Sequence, residues 1–173
     1  MVLEYKEFGD LGQALAKERL FGEELSRIYI CEVLLALENL HSKNVMYRDL
    51  KPDNIMLDGT GHIKLIDFGL SKLNVDSDNY SSGSFLGSHA YLAPEILASK
   101  SYGKSVDWYN LGVLLYEFLV GQPPYYKNDL EELYQNIQRG AIEFPRSMGL
   151  EARDLISKLM GRNPMTRLGF NGA

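Results

Sequence analysis

The sequence predicts an α+β fold that is mainly helical and carries one small β-hairpin. Apolar residues recur at helical spacing in several long segments. Between them, two short apolar runs at 55–57 and 63–66 flank the turn-forming residues Asp58-Gly59-Thr60-Gly61, an order typical of a hairpin. The chain has 173 residues, of which 45% are hydrophobic, and this is enough for one sizeable core.

The helices are predicted from apolar spacing and capping residues. Asp10 stands where it can N-cap a short first helix, and Asn128 followed by Glu131 forms a capping pattern before a later one. The segment 105–120 is apolar almost all round, which predicts a buried helix in which Asp107 must be paired. The five helices are expected at about 11–17, 23–41, 105–120, 129–139 and 150–160.

Composition narrows the class of protein. The net charge of −5 argues against a nucleic-acid partner, because such a partner usually leaves a basic surface. The single cysteine, Cys31, allows no internal disulfide and fits a reducing compartment, so a cytoplasmic location, or a nuclear one as well, is expected. No signal peptide is expected after Met1, and no apolar run approaches the length of a membrane span.

One stretch, from Tyr47 to Gly69, carries the residues that point to chemistry. Transfer of a phosphoryl group to a hydroxyl requires positioning and charge stabilisation more than covalent help from the protein. It needs a carboxylate that orients the hydroxyl and takes its proton, a cation beside the transferred phosphate, and hard oxygen ligands for Mg²⁺. Residues of these types are Asp49, Lys51, Asn54 and Asp67.

The spacing of these residues predicts that they meet. Asp49 and Asn54 lie at the two ends of a short loop that Pro52 stiffens. The hairpin then returns the chain so that Asp67 lies beside Asn54, and two oxygen ligands that are distant in sequence can share one metal ion. The alternative is a surface hairpin with scattered carboxylates, which any one of these residues alone would also fit.

Further segments stand in a characteristic order along the chain. They are Asp67–Lys72, Ser84–Ser88, Tyr91–Glu95, Ser105–Trp108 and Arg167–Gly169. Together with the loop at 48–54, they make the chain resemble the catalytic domain of eukaryotic protein kinases, in particular the AGC group of serine/threonine kinases. Tyr47 stands in place of the more usual histidine before Arg48, as is common in that group. The resemblance covers essentially the whole chain and implies the large, mostly helical C-terminal lobe of that fold.

The resemblance implies ATP and Mg²⁺ as cofactors and protein hydroxyls as substrates. Asp49 would be the catalytic base and Lys51 would contact the γ-phosphate. Asn54 and Asp67 would bind magnesium. A lysine at this place in the loop points to serine or threonine acceptors, because tyrosine kinases usually place an arginine elsewhere in it.

Other nucleotide contacts are implied near the beginning of the chain and in the hairpin. The backbones of Glu4 and Lys6 would bond the adenine, since they match the hinge between kinase lobes. Asp10 would meet the ribose, and Met56 would pack under the adenine ring. Asp53, which precedes Asn54 in the loop, would also contact the nucleotide.

The resemblance also implies residues that bind the protein substrate. Asp53 and Glu117 match acidic positions that receive a basic residue of a peptide, and the alternative is that they are ordinary solvated carboxylates. Ser88 stands where the family normally has threonine, and it keeps a hydroxyl able to bond Asp49 and Lys51. Ala90 stands where many relatives are acidic, which puts one substrate contact in doubt.

Ser84 matches the phosphorylation site of the kinase activation loop. A phosphoserine carries nearly two negative charges and pairs well with arginine. Arg48 and Lys72 are the matching basic partners. We expect an upstream kinase to phosphorylate Ser84 and thereby order the loop, and the alternative is an unmodified serine in a free loop.

Residues 1–173 are expected to form a partial kinase domain. The chain would hold the hinge and the large lobe and would stop before the last helix and the C-terminal tail. It contains no G-x-G-x-x-G motif and no V-A-I-K-like lysine, so the small β-rich lobe is expected to be absent. Glu95 and Arg167 would form the internal ion pair of the family, with a structural role.

Two hypotheses of function follow from this partial domain. In the first, the chain is part of a serine/threonine kinase, and alone it would phosphorylate little or nothing because several groups that contact the phosphates are missing. In the second, it is a binding or regulatory module without catalysis. Either way, apolar residues that would face the missing lobe are expected to be exposed, and these are Val2, Leu3, Met56 and Phe68.

Overall fold

The computed structural model describes residues 9–75 and 88–170 of the chain. Six α-helices and one two-stranded antiparallel sheet form the regular structure of these ranges, which confirms the mainly helical α+β class. The helices are α1 (Leu11–Glu18), α2 (Glu23–Ser42), α3 (Pro94–Leu97), α4 (Ser105–Val120), α5 (Leu130–Arg139) and α6 (Leu150–Leu159). The strands are β1 (Ile55–Leu57) and β2 (Ile63–Leu65).

The buried helix α4 is the centre of the fold. Its apolar residues are buried on every side, with Leu111 and Phe118 fully enclosed, and it packs against both α2 and α6. Gly112 allows α6 to approach closely, because a Cβ there would lie 2.7 Å from Cγ of Met160 and 2.9 Å from Cβ of Leu159. Helix α4 therefore fixes the positions of the elements around it.

The end of α4 is joined to the end of α1. Gly121 ends α4 in the left-handed conformation, with φ 88°, which suits glycine, and a Cβ at this position would clash with the backbone oxygen of Arg19. Nearby, the ring of Phe21 packs edge-to-face on Tyr29 of α2 and Phe118 of α4, with ring centroids 5.8 and 5.1 Å apart. These contacts attach α1 to the core beside the loop at 49–54.

Capping explains where two of the helices begin. Asp10 caps α1 as predicted, and its Oδ1 accepts the backbone N–H of Gln13 at 2.8 Å. The capping pattern assigned to Asn128 and Glu131 is wrong by one residue, because Asp129 is the N-cap of α5 and accepts the N–H of the third helical residue at 2.8 Å. Aspartate caps as well as asparagine does, and the shifted start directs Leu133 of α5 into the core.

The hairpin has the predicted place and turn. Its register pairs Ile55 with Leu65, and the predicted strand extends to Ile66 whereas the observed one ends one residue earlier. The carboxylate of Asp58 closes the turn. It accepts bonds from the hydroxyl of Thr60 at 2.6 Å and from its N–H at 2.9 Å, and these lower the pKa of Asp58 to about 2. No helix in the described ranges has both the length and the apolar character needed to cross a membrane.

Candidate active site

The loop from Asp49 to Asn54 is largely buried, with Asp53 exposed, and is held by its own hydrogen bonds. Nδ2 of Asn54 donates to the backbone oxygen of Asp49 at 2.8 Å and to Oδ2 of its carboxylate at 2.7 Å. Nζ of Lys51 lies 3.2 Å from the same carboxylate oxygen. An amide and an ammonium group therefore hold the carboxylate of Asp49 in one orientation, at 7% exposure.

Asp107 of α4 anchors the beginning of this loop from the core. Its Oδ1 accepts the backbone N–H of Arg48 at 2.8 Å, and its Oδ2 accepts that of Tyr47 at 2.9 Å and bonds Nε2 of His41 at 2.7 Å. Arg48 has φ 72°, a backbone conformation that residues other than glycine rarely adopt. The bonds to Asp107 hold this conformation, so a buried group in the core positions the loop at 49–54.

Asp67 is brought to Asn54 by the hairpin. Beyond the register of the two strands, the N–H of Ile66 donates to the backbone oxygen of Asn54 at 3.0 Å, and Asp67 is the next residue. The hydroxyl of Tyr47 donates to the backbone oxygen of Ile66, and its ring packs on Phe68 with centroids 5.4 Å apart. The two predicted metal ligands thus lie at one end of the hairpin, as their spacing predicts.

The environment of Tyr47 reflects the carboxylates that meet here. Burial raises the pKa of this fully enclosed phenol above its ordinary value, and the charges of Asp49, Asp67 and Asp107 raise it further. Three acids that are far apart in sequence therefore lie near one ring. Tyr47 stays neutral and keeps its proton for the hydrogen bond to the backbone.

The oxygen atoms at this end of the hairpin fit a hard divalent cation. Because Nδ2 of Asn54 is engaged by Asp49, its Oδ1 is left without a hydrogen bond among the described residues. Asp67 accepts the N–H of Gly69 at 3.0 Å, which leaves one carboxylate oxygen without a bond in the same ranges. Mg²⁺ commonly takes one or two such protein oxygens and completes its shell with phosphates and water. Residues 9–75 and 88–170 include no group of three or more His, Cys, Asp or Glu suited to a metal ion.

Ser88 is connected to the catalytic loop through lysine. Nζ of Lys51 donates to Oγ of Ser88 at 3.3 Å, and no hydrogen bond between Ser88 and Asp49 occurs among the described residues. The structure thus shows one of the two bonds that this hydroxyl is expected to be able to make, and the bond to Asp49 stays a prediction. The bond still connects the segment after 87 with the carboxylate, because Lys51 contacts both.

The residues expected to bind a phosphorylated loop are described in part. Ser84 lies outside the described residues. Nε of Arg48 donates to the backbone oxygen of Leu70 at 2.6 Å. Lys72 follows two residues later, and its backbone exchanges two 2.9 Å hydrogen bonds with Met46. Both basic residues therefore lie beside the chain that leaves the hairpin toward Ser84.

Asp53 and Glu117 line one cavity of about 440 Å³ next to α1. The hydroxyl of Tyr91 donates to Oε2 of Glu117. Gly12 of α1 makes room for Asp53, because a Cβ there would lie 3.0 Å from its Oδ1. Burial, followed by the charge of Asp53, raises the pKa of Glu117 to about 7. Two carboxylates that repel each other in a half-enclosed space form a good site for a cationic side chain.

The residues assigned to the nucleotide base and sugar are also described in part. Glu4 and Lys6 lie outside the described residues. The carboxylate oxygens of Asp10 accept bonds from the N–H of Gln13 at 2.8 Å and from its Nε2 at 2.5 Å. The backbones of Asp10 and Met56 pair as an isolated antiparallel bridge. Asp10 and Met56 therefore lie side by side, as two contacts to one nucleotide require.

The apolar residues expected to be uncovered divide into two groups. Val2 and Leu3 lie outside the described residues. Met56 is half-buried, and Phe68 is 49% exposed, so the ring after Asp67 does contact solvent.

Glu95 and Arg167 form a buried, bidentate ion pair. Nη1 and Nη2 of the guanidinium lie 2.7 and 2.9 Å from the two carboxylate oxygens. Two further donors are engaged as well, with Nη1 donating to the backbone oxygen of Ser105 at 2.9 Å and Nε to that of Gly161 at 2.8 Å. The pair therefore joins α3 to the start of α4 and to the segment after α6, and its role is structural.

Sequence reasoning missed two contacts near the site. The first is the bond from Tyr91 to Glu117, since the sequence gives no sign that these residues meet. The second is made by Glu32 of α2, whose carboxylate contacts His62 and the backbone of Ile63 in the hairpin. A single acid on a helix face carries no signal for a partner 30 positions away.

The geometry of these residues agrees with the comparisons with known proteins. The sequence profile of the protein kinase domain matches residues 1–173, and the chain belongs to this family. It is 48% identical over 172 residues to the serine/threonine-protein kinase YPK1 of Saccharomyces cerevisiae, which covers 99% of the chain and 25% of that relative. It is 47% identical over 168 residues to the RAC-beta serine/threonine-protein kinase of Rattus norvegicus, which covers 97% of the chain and 35% of the relative.

A third relative extends the comparison to another fungus. The chain is 47% identical over 173 residues to the serine/threonine-protein kinase gad8 of Schizosaccharomyces pombe, which covers 100% of the chain and 30% of the relative. These relatives are AGC kinases, which confirms the resemblance drawn from the motifs. The chain spans about a quarter to a third of the length of the relatives it matches.

Proposed function

We propose that the chain forms the hinge and the large lobe of a serine/threonine kinase that transfers the γ-phosphate of ATP to hydroxyls of protein substrates. The observation that carries the proposal is the fixed carboxylate of Asp49, which lies 2.7 Å from the amide of Asn54 and 3.2 Å from the ammonium of Lys51. A carboxylate held in this way is suited to orient one hydroxyl and receive its proton. A pure binding module has no chemical need for these groups together.

Each residue of the loop has one task in this proposal. Asp49 positions the acceptor hydroxyl and takes its proton, and Lys51 contacts the γ-phosphate. Asn54 and Asp67 hold Mg²⁺, which neutralises charge on the phosphates when it is bound. The arrangement at the end of the hairpin supports this role, since each of the two residues offers one oxygen without a hydrogen bond among the described residues.

The acidic cavity supports a preference for substrates with a basic residue near the acceptor. Asp53 and Glu117 face each other, and an arginine or lysine would relieve their repulsion. Regulation by an upstream kinase acting on Ser84 is part of the same proposal, with Arg48 and Lys72 as phosphate partners. A cytoplasmic location also belongs to the proposal, and the single cysteine supports it.

A polypeptide limited to these 173 residues should be weakly active or inactive. Loss of single electrostatic donors to a transition state costs roughly 10²–10³ in rate, and the G-x-G-x-x-G loop and its lysine partner are not among these residues. The proposed activity is therefore tested on the chain together with any coding sequence that flanks it in its transcript. An in-frame Gly-rich loop and lysine upstream of Met1 would favour the enzyme over a regulatory module.

The experiment is a phosphotransfer assay with Mg²⁺, ATP and peptides that differ only in the acceptor residue. Serine and threonine peptides should be phosphorylated and a tyrosine peptide should not. Asp49→Asn should lower the rate by at least about 10²-fold without changing the unfolding midpoint. Asp154→Asn on the exposed surface of α6 is the matched control and should leave the rate unchanged. The parent protein in this assay is the chain together with its flanking coding sequence. Absence of transfer by that protein, or equal rates for it and its Asp49→Asn variant, would contradict the proposal and favour a binding module.

A further inference from the structure

Helix α2 contacts the hairpin at the start of its second strand. Oε2 of Glu32 accepts the backbone N–H of Ile63, the first residue of β2, at 2.8 Å. Oε1 of the same carboxylate lies 2.5 Å from Nδ1 of His62. The two oxygens of one side chain thus hold two consecutive residues of the hairpin.

The strand held in this way leads directly to a proposed metal ligand. Ile63 opens β2, β2 ends at Leu65, and Asp67 follows two residues later. The other proposed ligand, Asn54, is fixed to the same strand end by the 3.0 Å bond from the N–H of Ile66. A three-residue strand has few ladder bonds of its own, so a side chain that holds its first residue has a large share in fixing its direction.

We propose that Glu32 is a positioning residue for the hairpin that carries Asn54 and Asp67, and that His62 fixes the carboxylate of Glu32 for this task. The inference rests on the proposed function, because the direction of the hairpin matters to Mg²⁺ only if these two residues bind it. Neither Glu32 nor His62 touches the reacting groups. Both act through the backbone of β2.

The contact depends on pH because one of its members is a histidine. The charged groups that face the imidazole of His62 are Glu32 on α2 and Asp58 in the turn, and Lys64 on β2 lies near Asp58. The hydrogen bond to Glu32, followed by the charge of Glu32, raises the pKa of His62 above its ordinary value of 6.5. The stabilisation from this pair is therefore fully present below pH 6.5 and is lost as the pH rises through the raised pKa.

The first test measures the pair directly by NMR on the full chain. In the parent protein, His62 should titrate above pH 6.5 and the amide of Ile63 should exchange slowly with solvent. In Glu32→Gln, the pKa should return toward 6.5 and the exchange of this amide should accelerate by about tenfold or more, because a neutral amide oxygen is a weaker acceptor than a carboxylate. Equal pKa values and equal exchange rates in the two proteins would overturn the proposal.

The second test measures the dependence of phosphotransfer on Mg²⁺ in the chain together with its flanking coding sequence. Removal of groups that touch a metal ligand directly typically lowers metal affinity by about 10–100-fold, and Glu32 acts one step further away. Glu32→Gln should therefore raise the Mg²⁺ concentration for half-maximal rate by about threefold to tenfold. Glu38→Gln, which removes an exposed charge from the same helix, is the matched control and should leave this concentration unchanged.

A purely structural role for Glu32 would not produce the pH profile expected of the pair. The half-maximal Mg²⁺ concentration should rise between pH 6 and pH 8 in the parent protein more steeply than in His62→Gln. Parallel profiles, or an unchanged Mg²⁺ dependence in Glu32→Gln, would overturn the positioning role. Absence of phosphotransfer by the chain together with its flanking coding sequence would instead refute the proposed function, and with it the relevance of the hairpin to Mg²⁺.

Discussion

Asp107 and Glu117 lie on the same helix, α4, and have opposite surroundings. Asp107 is fully buried and is met by two backbone N–H groups and by His41. Glu117 is half-buried, faces the carboxylate of Asp53, and receives one hydroxyl, from Tyr91. The first acid is bonded to several donors within the protein, whereas the second forms no ion pair among the described residues, although Arg19 lines the same cavity.

This difference separates an acid that holds the loop at 49–54 from an acid that we propose to bind a substrate. A buried carboxylate with several donors fixes the backbone that supplies them, as Asp107 fixes the start of the catalytic loop. Burial, followed by the charge of the neighbouring Asp53, makes the carboxylate of Glu117 costly to ionise, and both raise its pKa. The role of an acid on α4 is therefore decided by the groups around it and not by its position on the helix.

The largest effect is expected where the paired acid is removed. Asp107→Ala should lower the free energy of unfolding by roughly 3–5 kcal/mol, because the buried N–H groups of Tyr47 and Arg48 lose their acceptor. Urea unfolding at neutral pH measures this change. Asp154→Ala, which removes only an exposed ion pair with Lys158, should cost less than about 1 kcal/mol. A loss for Asp107→Ala no greater than that of the control would mean that the anchor is dispensable.

The second prediction concerns Glu117 and its contribution to the pH dependence of stability. The pKa of Glu117 is about 7 in the folded protein against 4.5 ordinarily, so its protonated form favours folding. The resulting stability is present below pH 4.5 and is lost as the pH rises through 7, a change of up to about 3 kcal/mol. Glu117→Gln should remove this part of the pH dependence of unfolding.

Unfolding of the parent and of Glu117→Gln at pH 4.5 and pH 8 tests this expectation. Glu24→Gln, at an exposed position of α2, serves as the control and should follow the parent. Identical pH profiles for the parent and Glu117→Gln would show that the pKa of Glu117 is not raised in the folded protein. In the same variant, affinity for peptides with a basic residue near the acceptor should fall, whereas peptides without one should be unaffected.

The smallest effect is expected for one partner of the paired acid. His41→Gln should cost about 1–2 kcal/mol, because Asp107 keeps its two backbone donors and loses one side-chain bond. Part of the loss would come from the ring of His41, which packs edge-on to Trp108 with centroids 4.9 Å apart. Thermal unfolding measures it. A cost equal to that of Asp107→Ala would indicate that the bond from His41, and not the bonds from the backbone N–H groups, accounts for the stabilisation by Asp107.

Much of the fold follows from the sequence because its signals are local. Apolar spacing predicted α2 and α4 within a residue or two, and turn residues predicted the hairpin. The start of α5 was predicted one residue early because Asn128 and Asp129 are both good caps, and only the packing of the helix chooses between them. Helix α3, with four residues, is too short for apolar periodicity to predict.

The site was predictable to the extent that motifs encode it. Asp49, Asn54 and Asp67 could be placed together from spacing, because the turn residues and the apolar pattern of the hairpin set its register. The contacts of Glu32 with His62 could not be predicted in this way, because they depend on how α2 packs against the hairpin and no local sequence pattern encodes them. The same is true of the bond from Tyr91 to Glu117.

The central claim, that Asn54 and Asp67 form one metal site beside Asp49, is tested most directly by NMR with Mn²⁺ in place of Mg²⁺. In the presence of ATP, substoichiometric Mn²⁺ should broaden the side-chain amide of Asn54 and the backbone amides of 67–69 before any signal of α6. Asp67→Ala should abolish this selective broadening. Broadening that begins elsewhere, or that is the same in Asp67→Ala, would contradict the account.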